Sequence, residues 1–479
     1  MHVFPNREHM KSWVERVAEK EKVKRKIPLE VKRIGNRYYL YMSTSQWDRR
    51  LKRRKKLSRY IGRITKRGVI EADRTKHDAR SIYEYGNSRF LASLIEDLIE
   101  PLKQAFPEDY LEIMAMGIVK LIQPTPLKLI KSRWEKLHLS TEFDASLSPN
   151  TLSEKLRRIG VDVIGQKQFF KHLSTRSRVL VFDMSSIFSY SENLKLAEKG
   201  YNSEGLYLKQ INFVLLLSQA RRLPVMIKPL PGSVRDIKAL KTAINEVFRR
   251  KCILVMDRGP ASYIVPKMLR EKEVGFVLPL RRNFRIVDYD MPLMKSFIFM
   301  NRGINWGRKR IGESFLYMFE DVKLRAEEET NFIKHIREGK KKQPQLERER
   351  RKFGKISILS NLDRGGAAVY RLYKSRQRIE VVFDALKNEL ENDKTYLSDD
   401  DAIRGYFFVS FVSLYLYCRI LEMLRKSKYV GKVSVNELLF ELSKVYLVVC
   451  NDGRVSISEV PAKVEELDEA LGLNLFPKR

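Results

Sequence analysis

Two short apolar runs each end in an aspartate, and they limit the fold more than any other feature of this 479-residue chain. Val179, Leu180, Val181 and Phe182 lead into Asp183; Cys252, Ile253, Leu254, Val255 and Met256 lead into Asp257. Apolar runs without polar alternation fit strands covered on both faces, as in a sheet flanked by helices. An ionised carboxylate is costly inside such a sheet. Both acids are therefore expected where their strands end.

The surrounding pattern supplies the rest of that sheet. Residues 178–184 read as a first strand, 210–217 and 224–229 as a second and third, 252–257 as a fourth and 275–280 as a fifth. An amphipathic helix over 233–248 precedes the fourth strand, and a second helix over 262–271 follows it. Three strands, helix, strand, helix, strand is the order of a ribonuclease-H-like mixed sheet, in which the first and fourth strands are neighbours. The expected fold class is α/β: a ribonuclease-H-like mixed-sheet catalytic core over 178–280 and 355–425, interrupted by a mainly β insertion over 281–354. Within the insertion, 337–351 reads as an exposed charged connection. A basic N-terminal region (1–80) and a helical region (81–177) precede the core. Residues 426–479 form a C-terminal region, a candidate for dimerisation.

Charge narrows the partners. Lys plus Arg number 93 against 59 for Asp plus Glu, a net charge of +34. Such self-repulsion is usually retained where a polyanion offsets it, nucleic acid first and an anionic membrane second. Acids gathered at strand ends in so basic a chain suggest an enzyme that grips a polyanion and cuts it with divalent metal. Residues 1–80 carry 25 Lys/Arg and only 9 Asp/Glu. There, 37–42 and 58–65 read as strands joined by a basic connection, Arg49, Arg50, Lys52, Arg53, Arg54, Lys55 and Lys56. Tyr38, Tyr39, Trp47 and Tyr60 interleave with that charge, which favours a hairpin presented to DNA phosphates over a merely solvated run.

Other functions are disfavoured. The apolar stretch 405–418 is 14 residues long, short of the roughly 20 a spanning helix needs, and reads as a core helix; no membrane partner is expected. Residues 1–20 have no apolar signal core. Cys252, Cys418 and Cys450 are widely spaced, as in a reducing, cytoplasmic compartment; a prokaryotic, nucleoid-associated protein is expected. Gly307 and Gly312 have phosphate-loop spacing, but Glu313 stands where that loop needs lysine. No nucleotide cofactor is expected.

A third acid lies far downstream. On a regular helix of 3.6 residues per turn, Tyr373, Arg376, Glu380 and Lys387 fall within roughly 60° of one another, beside an apolar stripe of Leu372, Ile379, Phe383, Leu386 and Leu390. An ordinary amphipathic helix has the same features. The spacing Tyr-x2-Arg-x3-Glu-x6-Lys, however, resembles at every position the signature of cut-and-paste, DDE-class insertion-sequence transposases. Asp183-Met-Ser-Ser resembles that family's first aspartate segment, 231–236 its Gly-x-x-x-Asp turn, and Asp257-Arg-Gly its second aspartate turn. The likeness spans about 178–425.

That resemblance implies that Asp183, Asp257 and Glu380 are catalytic and hold two Mg2+ (or Mn2+) ions per site. It implies that Tyr373, Arg376 and Lys387 hold phosphates of the element end, with Ser185, Asp236 and Arg258 as weaker candidates. The partners it implies are double-stranded DNA, both terminal inverted repeats and target, and a second copy of the chain in a homodimeric synaptic complex. Excision through hairpinned ends is typical of such members. The alternatives are a nuclease of the same fold without strand transfer, and a non-enzymatic DNA-binding descendant.

Overall fold

The structure, a computed structural model, describes residues 11–48, 53–71, 79–189, 191–200, 208–247, 251–390 and 397–476. It forms two compact units, one of residues 1–80 with 449–454 and the other of 81–448 with 455–479.

The smaller unit is a helix, Ser12–Arg25, with a four-stranded antiparallel sheet in the order Leu29–Ile34, Arg37–Asp48, Arg53–Thr65, Gly68–Glu71. Its core is small: Val14 from the helix meets Tyr38, Leu40, Ile61 and Ile64 from the two middle strands, and Trp13 sets its edge on Tyr38 at 6.0 Å. The two middle strands run well past the 37–42 and 58–65 expected. Arg53, Arg54, Lys55 and Lys56 are thus paired strand residues rather than a loop. Arg49, Arg50 and Lys52 lie outside the described residues.

In the larger unit, strands at 179–188, 209–218, 224–231, 253–255 and 275–279 match the expected order closely, with the helix Asp236–Val247 before the fourth. Val179–Phe188 and Ile253–Val255 are parallel neighbours, with Val181 opposite Val255. Both Asp183 and Asp257 therefore stand two residues beyond that pair. Gly275–Pro279 is parallel to the fourth strand on its other side, while Lys209–Ser218 pairs antiparallel with the first. The mixed character of the sheet follows.

The segment expected as a separate insertion instead widens this sheet. Lys295–Phe299, Arg302–Ile311 and Ser314–Asp321 form an antiparallel meander that joins Lys355–Ser360, which pairs in turn with Gly275–Pro279. Apolar Leu316, Met318 and Phe319 are completely buried, so these strands need the covering that a shared sheet provides. The charged connection also differs: Val322–Arg337 and Gln343–Arg350 are helices.

One face of the sheet is covered by helices around the long helix Asp400–Arg425, whose apolar middle is buried. It is long and apolar enough to cross a membrane, the one such single helix among the described residues, yet 78% of its apolar window is buried inside the protein. It lies backbone to backbone with Pro149–Val161. A Cβ on Gly160 would meet the Asp401 carbonyl at 1.8 Å, and one on Gly405 the Leu156 carbonyl at 1.9 Å. Only glycine at both positions permits that approach.

Candidate active site

Only Asp257 stands where its strand ends: the first strand runs on past Asp183, which is still paired across from Leu215, but both acids lie just beyond the point where the first and fourth strands stop pairing. Asp183 is the fifth residue of Val179–Phe188 and Asp257 lies just past Ile253–Val255. The backbone N–H of Met184 donates to Asp183 Oδ1 at 2.8 Å, fixing the carboxylate. The turn after Asp257 is pinned from below, because the Arg281 guanidinium donates to the Gly259 carbonyl at 3.2 Å. Gly259 is also where Asp236 arrives: a Cβ there would fall 2.8 Å from the Asp236 carboxylate. Asp236 thus belongs to this acidic edge. The turn spacing around 231–236 had pointed to it.

Glu380 comes from a different layer. The expected single helix over 373–387 is broken into three: Gly366–Lys374, Gln377–Asp384 and a π-helical turn, Ala385–Glu389. At the first break the Ser375 hydroxyl donates back to the Leu372 carbonyl at 2.6 Å. Uniform 100° steps therefore do not hold across the signature. The apolar stripe still docks: Ile379, Leu386 and Leu390 are buried, and Phe383 meets Phe213 of the second strand edge-on at 5.6 Å.

The three acids meet at one side chain. Arg376 Nη1 lies 3.8 Å from Asp183 Oδ2 and 3.6 Å from Asp257 Oδ1, and its Nη2 is 3.6 Å from Glu380 Oε1. The guanidinium is mostly buried, 18% exposed, whereas Glu380 is 60% exposed. Because two aspartate oxygens share one nitrogen, they are no further apart than those two distances laid end to end. Among the described residues no three potential metal ligands stand close enough to share one ion as placed; the acids surround a cation of the chain itself.

Burial is the main force on Asp183, pushing its carboxyl from 3.8 up to about 7. Asp257 and Asp236 push the same way, while the Met184 N–H and Arg376 oppose. Asp236 is raised by burial and by Asp257, against the pull of Arg281. An edge that crowds carboxylates in this way favours a bound cation.

The remaining signature residues are placed differently. Tyr373, expected at a phosphate, is 9% exposed and packs against Tyr370, with ring centroids 6.4 Å apart. Lys387 is half-buried in the π-helical turn, which by its extra residue per turn shifts it from the regular-helix position. Ser185 lies within the first strand, and Arg258 is exposed beside Asp257. Arg281 carried no sequence signal, and only the turn it holds reveals its part.

Residues 174–416 match the Transposase DDE domain family. No curated protein sequence matches the chain. Among solved structures, it overlays on the piggyBac transposase synaptic complex with hairpin DNA at a TM-score of 0.41 and 10% identity, over 75% of this chain and 79% of that one. An overlay that loose adds no functional argument. The family match spans half of the chain and includes every residue of the acidic edge: this protein belongs to the DDE transposase domain family.

Proposed function

We propose that this protein is a metal-dependent DNA transposase that cuts at the ends of an insertion sequence and joins them to target DNA, with Asp183, Asp257 and Glu380 as its catalytic acids. The observation that carries the reading is the meeting of those three acids, from three distant segments, around the Arg376 guanidinium. The core around them is read as ribonuclease-H-like from its strand order.

The donor set suits the cofactor. Carboxylate oxygens are hard ligands of the kind Mg2+ or Mn2+ takes, and the burial and neighbouring acids that raise Asp183 are offset by added positive charge. Asp183, Asp257 and Glu380 would hold the ions. When bound, a pair of them supplies the charge that activates a water or a DNA 3′-OH and steadies the leaving oxygen.

The chain's own residues do the rest. The Met184 N–H and the buried strand hold Asp183 in one orientation. Arg281 and the tight Gly259 turn hold Asp257. Once the acids are neutralised otherwise, Arg376 is freed to offer its planar fork to a phosphate of the element end. Lys387 adds a point charge. A second copy of the chain would hold the second end, and excision would pass through hairpinned ends.

The test is a reaction of duplex element ends and target DNA with Mg2+, followed by separation of cut and joined products. Joined products from the wild type, and none from Asp183→Asn, Asp257→Asn or Glu380→Gln, support the reading. Cutting without joining favours a nuclease, and cutting by any of the three variants removes that acid from the site.

A further inference from the structure

Residues 43–48 and 53–58 of the N-terminal sheet form a two-stranded antiparallel arm, in register from Ser43–Ser58 to Asp48–Arg53. The unit's core ends before this arm begins: its buried members are Val14, Tyr38, Leu40, Ile61 and Ile64. Beyond them, 44–47 and 53–58 are exposed on both faces, Trp47 by 58% and Leu57 by 41%. A bare ribbon of this kind gains little stability by itself, so its length is explained by what it reaches.

Its two faces differ. Thr44, Gln46, Arg53, Lys55 and Leu57 share one face, and Ser43, Ser45, Trp47, Arg54, Lys56 and Ser58 the other. On the second face cations are already engaged: Lys56 Nζ donates to Glu30 at 2.9 Å, and Lys32 donates to Ser58 at 3.3 Å while lying 4.4 Å above the Tyr41 ring. On the first, the side chains of Thr44, Gln46, Arg53 and Lys55 make no hydrogen bond or ion pair among the described residues. Amide, hydroxyl and guanidinium groups side by side are the groups that read base edges.

We propose that this arm enters the major groove of duplex DNA, with Thr44, Gln46, Arg53 and Lys55 toward the bases and Arg54 toward the phosphates, joined by Lys56 as it exchanges its exposed pair with Glu30 for a phosphate. The proposal rests on the reading of the protein as a DNA transposase and adds how it selects a sequence. Six residue pairs span roughly 20 Å at about 3.3 Å each, and the groove, about 12 Å wide, admits a two-stranded ribbon. Five cations, Arg53, Arg54, Lys55, Lys56 and Arg59, complement the phosphates.

The experiment uses the full chain in EDTA, where no cleavage occurs, and selects binders from a pool of random-sequence duplexes. All substitutions are at exposed positions, and melting curves check folding. Thr44→Ala with Gln46→Ala is expected to reduce the preference for the selected motif roughly ten- to a hundredfold, leaving the salt dependence intact. Arg54→Ala with Lys56→Ala is expected to weaken all sequences alike and lower the log–log salt slope by about 0.9 per lost contact. An unchanged motif and slope in both overturns the proposal. So does tighter binding of a single-stranded oligonucleotide that Trp47→Ala abolishes, which would make the arm a base-stacking platform. Because no metal is present, this outcome is independent of whether the three acids catalyse cleavage.

Discussion

The acidic cluster of the large sheet and the basic arm of the small unit gather charge in opposite ways. The acidic cluster draws single residues from positions 183, 257 and 380, carried on strands and a helix that pack into the core. The arm takes its charge from one continuous run and leaves it exposed. Where geometry must be exact, the chain spends a fold to fix three carboxylates. The arm instead sets its side chains out in a row on two paired, exposed strands. Substitutions should therefore act sharply and singly in the first region, and gradually and additively in the second.

The widest gap is expected between the acids and the arm. Each of Asp183→Asn, Asp257→Asn and Glu380→Gln should slow cleavage by about a thousandfold or more, as when one member of a jointly acting set is removed, with duplex affinity nearly unchanged. Arg54→Ala with Lys56→Ala should leave the rate at saturating DNA unaltered and raise only the DNA concentration needed. Single-turnover kinetics across DNA concentrations separates the two, and equal losses of rate would break the contrast.

Arg376 joins the regions' two themes, a cation inside the acidic edge. Arg376→Ala should cut cleavage about a hundredfold, since it removes a fork for phosphate. The same change should tighten Mn2+ binding to the DNA-free protein by about tenfold, because a like charge leaves the site. Calorimetric titration with Mn2+ reads this directly; weaker binding would mean that the guanidinium supports the ions instead of standing in for them. Gly259→Ala should cost about tenfold in rate by displacing the Asp236 carboxylate, with little loss of melting temperature.

A last expected effect, on stability and not on rate, is the dependence on pH. Burial raises Asp183 from 3.8 to about 7, so the folded protein holds that proton more tightly than the unfolded chain does. Metal-free stability should be greatest at the acid end of that window and fall as pH rises through about 7. Asp183→Asn should flatten this decline in thermal melts, and Mg2+ should offset it in the wild type. A decline of the same size in Asp183→Asn would assign the proton elsewhere.

Much of this was readable from the chain. Runs such as 179–182 and 252–256 announce buried strands, and the aspartate after the second marks a strand end, whereas the first strand continues past Asp183 to Phe188. The Tyr-Arg-Glu-Lys spacing points to the family that residues 174–416 match. What escaped depends on side-chain chemistry or distant pairing. Nothing in composition warns that the helix is interrupted after Lys374 and passes into a π-helical turn at Ala385–Glu389. The strands at 295–321 look like a separate piece because their partner, 355–360, comes after two intervening helices. The helix Ser12–Arg25 buries just one residue, Val14, and so lacks a strong apolar period.

The guanidinium amid the acids has a consequence for the idle molecule. A tethered counter-charge does not dissociate on dilution, and a mostly buried one is screened little by salt. Newly made protein can therefore keep its clustered acids folded before any dissolved cation reaches them.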